Sequence, residues 1–319
     1  MEHITVVGDD ATPASARALA RARALGGTLV VLTGDRATPP AGLPSGSVVR
    51  RVGRVAPDVV FDVAAELGAS AMVVSEAMAN PVVVLRPAML AARRAMRAHD
   101  RSHMCLLVVR SERSRQRPRD VDPYRRILVG VDASPGAAVA TIAAAAVAGA
   151  DGAHLDVAAI ERRRDSALRD LVDKLEASDA APSAAAMRRR GPPKAPHLQL
   201  ALDSVASASV STHVDFRIGD PTDVLVRASR NDDHDLLVSS TIGVNGHGRQ
   251  GHVAHVTRRL LRLSRVDHMV VFDAFTLGLA DSDAAEGVVR AAAAGLAGPQ
   301  DVAYGEAAAT LHDDDGGPP

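Results

Sequence analysis

Short apolar runs of four to seven residues alternate along this chain with longer stretches of helical spacing, and Gly, Pro or Asp punctuates nearly every change. Ile4-Thr-Val-Val7 is a β-branched run that stops at Gly8-Asp9-Asp10. Thr12-Pro13 follows as a helix cap with proline at the first helical position. The Ala/Arg/Leu helix begun there ends at Gly26-Gly27, and Thr28 to Thr33 reads as a second strand. Residues 34–47 form a Gly/Pro-rich loop, Val48 to Val52 a third strand, and Pro57 to Leu67 a proline-started helix ending at Gly68. Met72 to Val74, Met89 to Ala98 and Cys105 to Val109 complete a strand–helix–strand unit.

The same order then recurs, and a repeat of this kind constrains the fold before any motif does. Ile127-Leu-Val-Gly-Val-Asp132-Ala-Ser134-Pro135 parallels Ile4 to Pro13 with one residue fewer, and Val214 to Pro221 parallels Val48 to Pro57. Asp235-Leu-Leu-Val238 lies over Ser70-Ala-Met-Val73, and His268-Met-Val-Val-Phe272 over His103-Met-Cys-Leu-Leu107. Strands alternating with helices imply parallel sheets covered on both faces, with right-handed crossovers. The expected organisation is a first α/β domain over 1–110, a charged linker over 111–126, a second domain over 127–273 carrying an insertion at 161–212, and a tail over 274–319. Within the insertion, Asp165 to Ala177 has a helical stripe and Pro182 to Pro196 reads as mobile. The tail holds one helix around Ala284 to Ala297 and an acidic Gly/Pro end expected to be disordered.

Composition narrows the function classes. Aromatics make up 2% of the 319 residues, which removes the stacking platforms used on single-stranded nucleic acid. A net charge of −1 supplies no pull toward nucleic acid or anionic membrane, and neither is expected as a partner. Cys105 is the only cysteine and sits in an apolar run, as a structural thiol does. No apolar run approaches the roughly 18 residues of a membrane span, and a soluble cytoplasmic protein is expected.

The candidate chemistry lies in Gly243-Val-Asn-Gly246-His-Gly248-Arg-Gln-Gly251, between the apolar run Leu236 to Val238 and a helical stretch. Glycines between a strand and a helix N-terminus let backbone N–H groups close on a phosphate. A flexible connector explains the same residues. The first repeat has Met78-Ala-Asn-Pro81 at this place, where side chains replace glycines and Pro81 offers no N–H.

Together these residues resemble the universal stress protein family in a tandem form. The resemblance rests on Ile127 to Ser134, Gly219-Asp220-Pro221, Asp235-Leu-Leu-Val into the glycine loop, and the Arg/Leu helix before the last strand. It implies two Rossmann-like domains of the flavodoxin-like, adenine nucleotide alpha hydrolase-like type. Each has a five-stranded parallel sheet with helices on both faces, and the domains pair as an intramolecular pseudo-dimer or in a homodimer. One branch of the family binds ATP through a motif resembling G-x2-G-x9-G-[ST]. Gly243 and Gly246 match its first positions and Thr257 its hydroxyl, while Val256 stands at the third glycine; Gly248 and Gly251 lie in the loop at other spacings. By the same carry-over Asp132 faces the adenosine, and a turn or capping role is its alternative. ATP is thus the expected ligand, in the second domain only, of a non-catalytic stress-response regulator.

His234, His247, His252, His255 and His268 fall close in sequence, yet no H-E-x-x-H or Cys partner accompanies them, and no metal site is assigned. No nucleophile elbow or Walker sequence is present, and no catalytic residue is assigned. A nucleotide-free interaction module is the first alternative and a weak nucleotide hydrolase the last.

Overall fold

A computed structural model describes residues 3–9, 12–25, 27–35, 38, 40–78, 80–110, 123–161, 195–208, 210–241, 255–280 and 284–294. The first half contains β1 (Ile4–Asp9), α1 (Pro13–Ala24), β2 (Thr28–Gly34), β3 (Val48–Val52), α2 (Pro57–Glu66), β4 (Ala71–Ser75), α3 (Pro81–His99) and β5 (His103–Val109). The second contains β6 (Arg126–Val131), α4 (Pro135–Asp151), β7 (His154–Glu161), α5 (Pro196–Ser207), β8 (Thr212–Ile218), α6 (Pro221–Asn231), β9 (Leu236–Ser240), α7 (His255–Leu263) and β10 (Asp267–Asp273), with α8 (Ala285–Ala294) after it. Six of the described helices begin at proline, and before three of these Thr12, Ser134 and Asp220 accept backbone N–H bonds of the first turn.

All ten described strands form one sheet, ordered β3-β2-β1-β4-β5-β10-β9-β6-β7-β8. Each half is parallel within itself, and the halves meet through antiparallel pairing of β5 with β10. The pair His268↔Val108 becomes His103↔Asp273 when the His103 and His268 positions are exchanged, so the seam register carries a twofold pseudosymmetry. In each half the strand-to-strand register places Gly8 and Gly130 at equivalent points, since Val7 pairs with Val73 and Val129 with Val238.

Alternating strand residues feed two layers of core. Val7, Val73, Leu107, Ile127, Val129 and Met269 pack under α1, α4, α5 and α8. The opposite face has Val6, Met72 and Leu106 under α2 and α3, and Leu128 and Leu237 under α6 and α7. Helix α4 is apolar nearly all round because it lies between the sheet and two further helices, α5 and α8.

Three expectations change. Helix α3 opens at Pro81 rather than near Met89, so Pro81 is the first residue of a helix and not part of a long loop; the β-branched run before Pro87 hides a helical start. Residues 196–207 of the expected insertion form α5, the β7–β8 crossover, with Leu198, Ala201 and Val205 buried. The strands of the second half start at Arg126 and Tyr124 is already buried, inside the expected linker. Helix α8 corresponds to the helix expected in the tail and packs on α4 and α5. The helix at Asp165 to Ala177, the segment Pro182 to Lys194, and Ser111 to Asp122 lie outside the described residues.

Candidate nucleotide site

At the C-terminal end of β6 the chain turns through Asp132 and Ala133 into the Ser134 cap of α4. Asp132 is half-buried, and its Oδ1 accepts from the Ser134 N–H at 3.0 Å, which fixes the carboxylate in the turn. The turn role open to Asp132 is therefore present in the geometry, and the carboxylate also stands at a strand end. Gly130, two residues earlier, leaves room for the Leu225 side chain of α6, whose Cδ1 would lie 2.5 Å from a Cβ placed there. Neighbouring β9 ends at Ser240, and Thr241 beyond it is buried.

Helix α7 presents its first turn to this end. Thr257 is buried and its Oγ1 donates to the Ser240 carbonyl at 2.8 Å, so its one hydroxyl proton already ties α7 to β9. Val256, at the place of the third motif glycine, packs on the Leu128–Leu237 cluster. Arg259 reaches across to the α6 N-terminus, with Asp220 Oδ1 at 3.4 Å and Asp223 Oδ1 at 3.3 Å. Gly243, Gly246, Gly248 and Gly251, with His247, Arg249 and His252, lie outside the described residues.

The first half differs at the equivalent strand end. A Cβ on Gly8 would lie 2.7 Å from Met78 Cε and 3.0 Å from Val55 and Val60, so the Met78 side chain lies over the end of β1. In the sequence alignment of the two halves Met78 stands opposite Gly243. Glu76, just past β4, is held by Arg110 Nη1 at 3.0 Å.

Two polar groupings have no sequence signal. At the opposite ends of the second-half strands, their N-terminal ends, Asp156 takes His234 Nε2 at 2.8 Å, Arg126 Nη2 at 2.7 Å, His154 Nε2 at 3.3 Å and His213 Nδ1 at 3.5 Å. Burial raises the Asp156 carboxyl, but hydrogen bonds and charge from His234 and Arg126 more than reverse this and hold it well below the carboxylate range. These partners come from four strand starts, which no local motif joins. His268, by contrast, is fully buried beside Ser239 Oγ at 3.0 Å, with burial and then Arg110 lowering its pKa to about 3. His234 and His268 thus bond to different partners, and no metal-holding group is found among the described residues.

The second grouping closes the end of β10. Asp273 is fully buried, accepting from Thr276 N–H at 2.9 Å and Thr276 Oγ1 at 2.7 Å, and the Thr276 and Thr241 hydroxyls are 3.2 Å apart. Burial pushes Asp273 up to about 6 despite these donors.

Such strand ends, followed by helix N-termini, are where open parallel α/β sheets bind ligands. Residues 123–271 match the model of the universal stress protein family. Among solved structures, a universal stress protein UspA from Lactobacillus plantarum is similar at 24% identity, over 47% of this chain and 98% of that one, with a TM-score of 0.32. A universal stress protein from Archaeoglobus fulgidus DSM 4304 is similar at 13% identity over 84% of this chain and 95% of that one, TM-score 0.49. A universal stress protein in complex with cAMP shares 21% identity over 47% of this chain and 97% of that one, TM-score 0.30. No curated protein matches. No helix among the described residues is long and apolar enough to cross a membrane.

Proposed function

We propose that this chain is a tandem, cytoplasmic stress-response regulator whose second half binds an adenine nucleotide and whose first half is a degenerate copy kept for structure. The observation that carries the reading is the contrast at the two equivalent strand ends. Met78 covers Gly8 in the first half, whereas the second half has Gly243 at that position, Asp132 at the strand end and a family match over 123–271. In this reading Asp132 hydrogen-bonds ribose hydroxyls or the adenine amino group, and the N–H groups of Gly243, Gly246, Gly248 and Gly251 with the start of α7 receive the phosphates. The site binds and reports; it does not turn over.

Calorimetry with ATP tests it. Saturable binding at one site per chain is expected, weakened at least tenfold by Asp132→Ala and by Gly246→Val, with nucleotide released from the purified protein on denaturation. Absence of saturable binding in the unmutated protein overturns it. That outcome would favour the second reading, a nucleotide-free interaction module, which the Thr257–Ser240 bond and Val256 at the third glycine position support.

A further inference from the structure

The seam between the halves has two corners related by its pseudosymmetry, and among the described residues only one is filled. In the filled corner Arg21 of α1 lies over the Tyr124 ring at 3.7 Å and reaches Asp267 at 3.9 Å, with Arg17 beside it at 3.8 Å from the same carboxylate. Superposing α1 on α4 by their first prolines sets Ala143 where Arg21 stands, and superposing His103 on His268 sets Ser102 where Asp267 stands. The salt-bridging pair is thereby replaced by two small side chains. What remains is a cleft of about 390 Å³ bounded by α4, α8 and the starts of β4 and β5. Its size falls in the range of about 300–1,000 Å³ usual for small-molecule sites.

The chemistry of the cleft is divided. Its floor is apolar, with Cys105, Ala143 and Met269 almost wholly buried. Its rim holds Arg101, whose Nη1 donates to Ser70 Oγ at 2.9 Å, the imidazoles of His3 and His103, and the Ser102 hydroxyl, 3.0 Å from His103 Nδ1. None of the described residues lining it is acidic. An apolar floor under a guanidinium rim selects a ligand with one anionic end and a hydrocarbon body.

We propose that this seam cleft binds a linear alkyl carboxylate, its carboxylate on Arg101 and Ser102 and its chain along Cys105, Ala143 and Met269. Burial lowers the Arg101 pKa, and a carboxylate beside it would favour the charged guanidinium. The Cys105 thiol, pushed up to about 12 by burial, stays protonated and serves as apolar wall rather than as a nucleophile. The site is separate from the strand-end nucleotide site and stands whether or not that one binds.

The test uses the full chain with octanoate, its shorter and longer homologues, and octylammonium as the charge-reversed control. Calorimetry should give one octanoate per chain, with affinity rising about fourfold per added methylene until the chain outgrows the cleft, and no octylammonium binding. Methyl-labelled methionine spectra should show the Met269 signal, assigned with Met269→Leu, shifting on saturation. Arg101→Gln should weaken octanoate at least tenfold while Arg101→Lys retains it. Ala143→Arg with Ser102→Asp, which rebuilds the filled corner, should abolish binding at unchanged melting temperature. No saturable octanoate binding, equal binding of octylammonium, or an unmoved Met269 signal overturns the proposal, as does full affinity in Arg101→Gln. Should Arg101→Gln fail to fold, Arg101→Lys with the octylammonium comparison decides the same point.

Discussion

The first and second halves share a strand order, a cap-proline start to their first helices and a glycine beneath a packed helix, yet they differ at a few positions that the shared core does not fix. Met78 covers one strand end, and its counterpart in the second repeat, Gly243, carries no side chain. Arg21 and Asp267 fill one corner of the seam where Ala143 and Ser102 leave a cleft at the other. The framework is set by many buried Val, Leu and Ala residues, each replaceable by a near equivalent. Differentiation of the halves needs only a few changes at positions that the framework leaves free.

The largest effect should come from breaking the filled corner. Asp267 is fully buried and accepts from the Arg110 backbone N–H at 2.9 Å and Tyr124 OH at 3.1 Å, besides facing Arg17 and Arg21. Arg17 in turn donates to the Arg110 carbonyl at 2.8 Å, so first and second halves are joined through one carboxylate. Asp267→Ala leaves buried cations without it, and a loss of about 3–5 kcal/mol in urea unfolding is expected. The exposed Arg94–Asp62 pair is the control: Asp62→Ala should cost less than about 1 kcal/mol. Equal losses for the two would mean that the filled corner does not hold the halves together.

Next in size is a pH effect that the first half should lack, because Val108 holds the position equivalent to Asp273. The folded Asp273 pKa of about 6 exceeds its ordinary value of 3.8. Between those values the native state keeps a proton that the unfolded chain releases. The contribution is therefore fully present below about pH 4 and lost as pH rises through about 6. The change across that window is about 2–3 kcal/mol. Asp156 acts oppositely, its stabilisation being present above the ordinary carboxylate value and lost as pH falls further, so the windows separate. Asp273→Asn should flatten the difference curve between about pH 4 and 6; parallel curves for mutant and parent would show that Asp273 is not protonated in the fold.

β1, β2, β3, β6, β8 and β10 are legible in the sequence because their apolar runs end at or next to Gly or Asp, and the starts of α1, α2, α4 and α6 because proline marks the first turn. Helix α3 reads short since Val82-Val-Val84 imitates a strand and Pro87 imitates a stop. Helix α5 reads as part of an insertion because a Pro/Arg-rich stretch precedes it, although Leu198, Ala201, Leu202 and Val205 give it a buried stripe. The Asp156 cluster and the two seam corners are illegible for another reason. Their residues lie far apart along the chain, and only the strand order and the antiparallel β5–β10 register bring them together. Asp132 and the glycine spacing, by contrast, are local, and the sequence displays them directly.

The smallest effect bears most directly on the strand-end contrast. Thr257 corresponds to Ala92 in the first half, so the Thr257 Oγ1 bond to the Ser240 carbonyl has no counterpart there. Thr257→Val keeps the shape and removes one buried hydrogen bond, which should cost about 1 kcal/mol in thermal or urea unfolding. If the hydroxyl serves only to join α7 to β9, ATP affinity should follow stability and change less than about twofold. If it turns to a phosphate when nucleotide arrives, affinity should fall about tenfold, the loss expected for a hydrogen bond to a charged group. The second outcome would give Thr257 a ligand role despite Val256. The first would leave Asp132 and the loop glycines to carry the site alone.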